Sequence, residues 1–117
     1  MDFSFFDEQT LLQESLTKFI QNDYGFEDRQ KSAGHENGFD VANWKQFAEL
    51  GWLGMPFSEA DGGYGGSAID TMLMQEQFGR GLMVEPFLAT VVLAGGAVKI
   101  AGNAEQKQRY LAGIIDG

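Results

Sequence analysis

Apolar and polar side chains recur along this chain with helical spacing, and one stretch, residues 85–102, is apolar on nearly every side. Between Pro86 and Gly102 only Thr90 and Lys99 carry polar side chains. A helix that is apolar all round is either buried or spans a membrane, and a span needs about 20 apolar residues. Two glycines interrupt this run and Lys99 comes near its end. The pattern therefore predicts a buried central helix, with Pro86 in its first turn.

Other segments also show apolar residues at three- and four-residue spacing, or are preceded by residues typical of helix N-caps, and both patterns indicate helices. Asp40, Ser67 and Asn103 are typical N-caps, and Ser67 with Asp70 forms a capping-box pattern. No run alternates with period two, so strands are not expected. The fold class is therefore all-α: one domain of five to six helices, in an orthogonal or up-down arrangement around the buried central helix. We expect the other helices at Asp7–Tyr24, Glu27–Ala33, Val41–Leu50, Ala68–Gly81 and Ala104–Ile115.

A glycine-rich segment, SEADGGYGG at residues 58–66, separates two of these helices. One interpretation is a loop that holds a phosphate group with its backbone N–H groups. Its spacing matches neither G-x-G-x-x-G nor G-x-x-x-x-G-K-[ST], and no lysine follows. The pattern favours the second interpretation, a conformational loop that lets the chain reverse its direction.

Few residues offer catalytic chemistry. His35 is the only histidine, and the chain has no cysteine. The chain therefore has few side chains that could bind a metal ion, or serve as a nucleophile together with an orienting base. Glu76 stands among apolar positions of a predicted helix, with Arg80 four residues later, which favours an ion pair. A general base would also need a polar partner or a pocket. We predict no catalytic residue and no metal ligand in this chain.

The chain carries a net charge of −9. Such a charge opposes binding to phosphate backbones, so a nucleic-acid partner is not expected. The acidic start lacks both a signal peptide and an arginine-rich transit pattern, which favours a cytoplasmic location without membrane insertion.

Three stretches of the chain form a recognisable series: SFFDEQTLLQESLTKFI, ELGWLGMPFSEADGGYGGSAIDTMLMQEQFGR and GNAEQKQRYLAGIIDG. In their order and spacing they resemble the N-terminal helical domain of the FAD-dependent acyl-CoA dehydrogenases. They cover most of the chain, and the segment LMVEPFLATVVLAGG looks closest to the branch that includes the small subunits of pimeloyl-CoA dehydrogenases. That branch handles dicarboxylic or long acyl thioesters.

The resemblance implies that residues 1–117 are the first domain of a three-domain enzyme, and the abrupt end at Gly117 also suggests a longer polypeptide. Such an enzyme dehydrogenates acyl-CoA thioesters between the α and β carbons. It passes the electrons through FAD to an electron-transfer flavoprotein. FAD and the catalytic base belong to the other domains, so we expect no flavin on this chain and no activity from it alone. A homo- or hetero-oligomer is expected for the parent, and self-association for the fragment.

The resemblance also implies that the central helix forms one wall of the acyl pocket. The positions that would face the acyl tail are Glu85, Leu88, Ala89 and Leu93, and plain core packing remains an alternative for Leu88 and Leu93. Pro86 and Phe87 depart from many relatives, which leaves the depth of the pocket open.

Two other functions remain to be separated from this one. The chain could be a stand-alone helical interaction module without a small-molecule site, in which case the reading frame would stop after Gly117. A metal-dependent helical enzyme has little support, because the chain offers one histidine and no clustered acids at i, i+4 spacing.

Overall fold

The computed structural model describes all 117 residues, Met1–Gly117, and every regular element is helical. The predicted all-α fold of five to six helices is confirmed. A 3₁₀ turn, Glu59–Asp61, lies in the connection between the third and fourth helices. The six helices are α1 (Asp7–Asp23), α2 (Phe26–Ala33), α3 (Val41–Glu49), α4 (Ala68–Arg80), α5 (residues 88–101) and α6 (residues 104–116).

Two of these helices change their winding along their length. α5 is π-helical over Leu88–Gly95 and continues as an α-helix over Gly96–Ala101. α6 is α-helical over Ala104–Gln106, π-helical over Lys107–Leu111 and α-helical again over Ala112–Asp116. The spacing of apolar positions does not reveal these π-helical turns.

Local hydrogen bonds place the helix starts where the capping residues predicted them. The Asp40 side chain accepts a hydrogen bond from the Ala42 N–H at 2.8 Å. In the box at α6, Asn103 Oδ1 accepts from the Gln106 N–H at 2.9 Å, and Gln106 Oε1 accepts from the Asn103 N–H at 3.0 Å. After α3, Gly51 has a φ of 79°, the left-handed conformation expected of a residue that ends a helix.

The core is built from aromatic rings that come from several helices and the loop after α3. Phe47 of α3 lies at the centre, with its ring centroid 5.3 Å from Phe19 of α1, 5.2 Å from Trp52 and 5.9 Å from Phe78 of α4. Phe78 in turn contacts Phe87 at 5.0 Å. The pair α1 and α4 makes the most extensive contact between helices. This core holds the start of α5 through Phe87.

Composition predicted that the central helix is buried on all sides, and this is wrong for the chain alone. The side of α5 that carries Val91 and Gly95 is buried, and Phe87 just before the helix is buried with it. The opposite side is open, with Leu88, Leu93 and Ile100 exposed at 53%, 62% and 86%. A helix that packs on the core with one side can still be apolar all round if a second surface, outside this chain, covers its other side.

Several other apolar side chains of the predicted helices are exposed. Leu11 of α1, Ile69 and Met72 of α4 and Leu50 after α3 all lie at the surface. Their neighbours at the same helical spacing fill the core instead, so the apolar stripe read from the sequence is wider than the buried one.

Candidate functional site

A buried carboxylate lies immediately before α5. Glu85 is only 5% exposed, and both of its carboxylate oxygens accept hydrogen bonds from neutral donors. Tyr24 Oη donates to Glu85 Oε2 at 2.6 Å, and Asn43 Nδ2 donates to Glu85 Oε1 at 3.0 Å. No lysine or arginine nitrogen lies within 4.0 Å of it. The Glu85 side chain is therefore stabilised by hydrogen bonds from neutral donors and not by an ion pair.

The donors that hold Glu85 are themselves held in place. Asn43 Nδ2 also donates to Ser32 Oγ at 3.1 Å. Tyr24 Oη accepts from the Val84 N–H at 3.2 Å, which directs its own proton to Glu85. Burial of Tyr24, followed by its hydrogen bond to Glu85, raises the Tyr24 pKa to about 12. This cluster joins the ends of α1 and α2, the first turn of α3 and the entry to α5.

Glu85 also belongs to the wall of a cavity of about 370 Å³ between α4 and the start of α5. Leu82 forms part of this wall with a φ of 50°, a left-handed conformation that is costly for a leucine. The Leu82 carbonyl accepts a hydrogen bond from Arg29 Nε at 3.1 Å, which helps to fix that conformation. The remaining lining residues are Gln75, Phe78, Gly79, Met83, Phe87 and Leu88.

The structure divides the four predicted pocket residues between two settings. Leu88, Ala89 and Leu93 are exposed on the open side of α5, and Leu88 also lines the cavity. Glu85 is buried in the polar cluster and lines the same cavity. A contact of these four residues with an acyl chain stays a prediction.

The glycine-rich segment holds itself together through its own backbone. The five consecutive N–H groups of residues 62–66 each donate to a backbone carbonyl, at distances from 2.7 to 3.1 Å. The acceptors include the carbonyls of Gly54, Met55 and Phe57, which come just before the glycine-rich segment in the chain. No N–H of this run is left to bind a phosphate, so the segment does not fit a nucleotide or flavin diphosphate. The arrangement is that of a conformational loop.

The residues that offered catalytic chemistry lie apart from this cavity. Glu76 accepts a hydrogen bond from Arg80 Nη2 at 2.8 Å on the surface of α4, as the i, i+4 spacing indicated. His35 lies in an exposed turn, with its Nε2 3.8 Å from Asp40. No set of three or more histidine and carboxylate side chains is grouped to hold a metal ion. None of the helices has the length and apolarity to cross a bilayer.

Sequence reasoning missed Tyr24, Ser32 and Asn43. Tyr24 and Asn43 stand 61 and 42 residues from Glu85, so no local spacing connects them to it. One weak signal was available: an isolated glutamate between a valine and Pro86, at the start of an apolar helix, needs buried partners.

Comparison with known families agrees with this architecture. The family model described as "Acyl-CoA dehydrogenase, N-terminal domain" matches residues 6–117. The chain belongs to the acyl-CoA dehydrogenase family. The resemblance read from the three sequence stretches is thereby confirmed.

Among curated acyl-CoA dehydrogenase relatives, the chain is 28% identical to the acryloyl-CoA reductase (NADH) of Anaerotignum propionicum, over 100% of this chain and 29% of that protein. It is 27% identical to the short-chain specific acyl-CoA dehydrogenase of Clostridium acetobutylicum, over 100% of this chain and 31% of that protein. The chain thus spans about three tenths of the length of these relatives.

Two solved structures share the fold. A variant of the Tcur3481–Tcur3483 steroid ACAD superposes with a TM-score of 0.86 at 29% identity, over 95% of this chain and 30% of that one. A structure described as an electron transferring flavoprotein of Acidaminococcus fermentans gives a TM-score of 0.82 at 26% identity, over 100% of this chain and 31% of that one. None of the relatives named here is a pimeloyl-CoA dehydrogenase, so that branch stays a prediction.

Proposed function

We propose that residues 1–117 are the N-terminal domain of a three-domain acyl-CoA dehydrogenase and form one wall of its acyl pocket. The observation that supports this most is the open apolar side of α5, where Leu88 and Leu93 are more than half exposed. The chain spans about three tenths of the length of its relatives, so the rest of such a protein could cover this surface. An open apolar surface of this kind is suited to contact an acyl chain and neighbouring domains.

The proposed reaction forms a double bond between the α and β carbons of an acyl-CoA thioester, with FAD in the parent accepting the two electrons. FAD would lie outside this chain, which is supported by the N–H groups of residues 62–66, since all five donate to backbone carbonyls and none is left for its diphosphate. The catalytic base would also lie outside it, and an electron-transfer flavoprotein would receive the electrons. The role of this chain is to bind the acyl tail, because α5 excludes water and gives the tail an apolar surface.

The first experiment compares the full-length parent with residues 1–117, using a dye as the electron acceptor. We expect the parent to contain flavin and to reduce the dye with an acyl-CoA, and the 117-residue chain to do neither. A parent gene that stops after Gly117 would contradict the proposal and favour the stand-alone interaction module. Flavin absorbance or turnover in the 117-residue chain alone would contradict it too.

The second experiment tests the pocket wall in the full-length parent. Ala89→Trp fills space on the open side of α5, so we expect the preferred acyl chain to become shorter and KM for long chains to rise. Ala42→Trp, at an exposed alanine of α3, is the matched control and should leave the chain-length profile unchanged. Identical profiles for both variants would remove α5 from the pocket.

A cytoplasmic location and an oligomeric parent complete the proposal. Cell fractionation and sedimentation of the full-length parent test these two points directly.

A further inference from the structure

Glu85 gives the cavity beside α5 a charge that an acyl pocket does not need. Among the lining residues it is the only charged one, and the others are apolar except for Gln75 and the glycine. Its two carboxylate oxygens accept hydrogen bonds from Tyr24 and Asn43, and neither donor carries a positive charge. Both donors are neutral and no lysine or arginine nitrogen lies within 4.0 Å, so no opposite charge offsets a carboxylate at this place in the wall.

We infer that Glu85 is a specificity residue: it admits acyl chains with an uncharged end and excludes those that end in a carboxylate. The inference rests on the proposed function, since it assumes that the acyl tail enters this cavity. Two negative charges that approach within about 6 to 10 Å at an effective dielectric constant near 20 lower the affinity by roughly tenfold or more. An apolar tail meets no such repulsion and gains the contact with Phe78, Leu82 and Leu88.

The cationic groups nearby do not cancel this charge. Arg29 donates its Nε to the Leu82 carbonyl from the exposed side and is not part of the cavity wall. Arg80 is paired with Glu76 at 2.8 Å on the surface of α4. A pocket meant for a terminal carboxylate would instead present an arginine or lysine to it. The inference therefore points away from dicarboxylic substrates, one of the two substrate types of the branch suggested by the sequence.

The test uses the full-length flavin-loaded parent and pairs of CoA thioesters of equal chain length. Each pair joins a monocarboxylic acid to its ω-carboxy counterpart, from hexanoyl and adipoyl to dodecanoyl and dodecanedioyl. We expect kcat/KM for the uncharged member to exceed that for the charged member by about tenfold or more in the pairs whose tails reach the cavity. In Glu85→Gln, which keeps the shape, this ratio should fall several-fold.

The controls separate charge from folding. Glu105→Gln removes the same charge from exposed α6, which lines none of this cavity, and should leave the ratio unchanged. Leu88→Arg adds a cation at the cavity without touching the buried cluster, and should raise kcat/KM for the ω-carboxy thioesters specifically. A purely structural role for Glu85 would lower kcat/KM for both members equally and leave their ratio unchanged, which overturns the inference.

The remaining outcomes are also decisive. Equal turnover of both members by the unmodified enzyme, or a preference for the ω-carboxy thioester, overturns this inference and leaves the proposed function intact. Failure of the parent to oxidise any acyl-CoA overturns the proposed function, and this inference with it.

Discussion

At the scale of single residues, the hydrogen bond between Tyr24 and Glu85 is the contact with the largest consequences. A phenylalanine at position 24 would leave Glu85 Oε2 and the Val84 N–H without their buried partner. Unpaired buried polar groups cost about 1–3 kcal/mol each, and a carboxylate lies at the upper end of that range.

We therefore expect Tyr24→Phe to lower the free energy of unfolding at pH 7 by roughly 2 kcal/mol. Urea titration followed by tryptophan fluorescence measures it, since Trp44 and Trp52 lie in the core. Tyr110→Phe is the control, because Tyr110 is half exposed and its hydroxyl makes no hydrogen bond within the chain. Equal stability of the two variants would mean that the cluster contributes nothing.

The same tyrosine makes stability depend on pH in the alkaline range. Its pKa is about 12 in the folded chain against an ordinary value of 10.0. Because the folded pKa is the higher one, the stabilisation is complete below pH 10 and is lost as the pH rises through 12.

We expect the difference in unfolding free energy between the original chain and Tyr24→Phe to be constant from pH 7 to 9. It should then shrink by roughly 2 kcal/mol toward pH 12, since one pKa unit corresponds to about 1.4 kcal/mol. Urea titrations of both proteins at several pH values measure this. Other tyrosines and lysines titrate in both proteins and cancel in the difference. A difference that grows with pH would contradict the assignment.

At the scale of elements, two adjacent glycines of α5 have opposite roles. A Cβ at Gly95 would lie 2.5 Å from Cζ of the buried ring of Phe57, whereas a Cβ at Gly96 would meet nothing within 4 Å. Gly95 therefore lets α5 approach the loop after α3, and Gly96 only costs helical propensity.

We expect Gly95→Ala to destabilise the chain by about 1–3 kcal/mol through overpacking. Gly96→Ala should be neutral or stabilise it by up to about 1 kcal/mol, because alanine is the better helix former. Thermal unfolding followed by circular dichroism compares the two variants side by side. The packing argument fails if both substitutions shift the midpoint in the same direction.

The loop before α4 shows how one element limits another. Three of its glycines donate their N–H groups to the carbonyls of Met55, Phe57 and Ser58. A Cβ at Gly63 would lie 2.3 Å from the Phe57 carbonyl oxygen. The loop is therefore a rigid connection that sets the position of α4, and with it one side of the cavity beside Glu85.

At the scale of the whole molecule, the chain is a flat body with extents of 43 × 42 × 20 Å and an open apolar side on α5. Leu88, Leu93 and Ile100 on this side are each more than half exposed in the isolated chain. Exposed apolar surface of this kind favours association.

We expect residues 1–117 to self-associate at high protein concentration and Leu93→Gln to weaken that association several-fold. Leu11→Gln is the matched control, since Leu11 of α1 is exposed at 64% and Leu93 at 62%. Sedimentation velocity over a range of concentrations gives the association constants. A strictly monomeric chain, or equal weakening by the two substitutions, would show that α5 is not the associating surface.

The features that can be predicted from the amino-acid sequence are local ones. N-caps, glycine ends and the three- and four-residue spacing act within a few residues, so the helix boundaries at Asp40, Ser67 and Asn103 could be read directly. The three collinear stretches also indicated the family, which the family model over residues 6–117 confirms.

Two features follow from three-dimensional packing alone: which side of α5 is buried, and which residues donate hydrogen bonds to Glu85. Apolar residues have the same spacing whether they pack against the core or against a surface outside the chain. Periodicity therefore could not predict that Val91 is buried and Leu93 exposed. The donors Tyr24 and Asn43 come from distant helices, and long-range packing alone brings them to one carboxylate. Burial and polar pairing are properties of that packing, which is why the candidate site was only partly visible in the sequence.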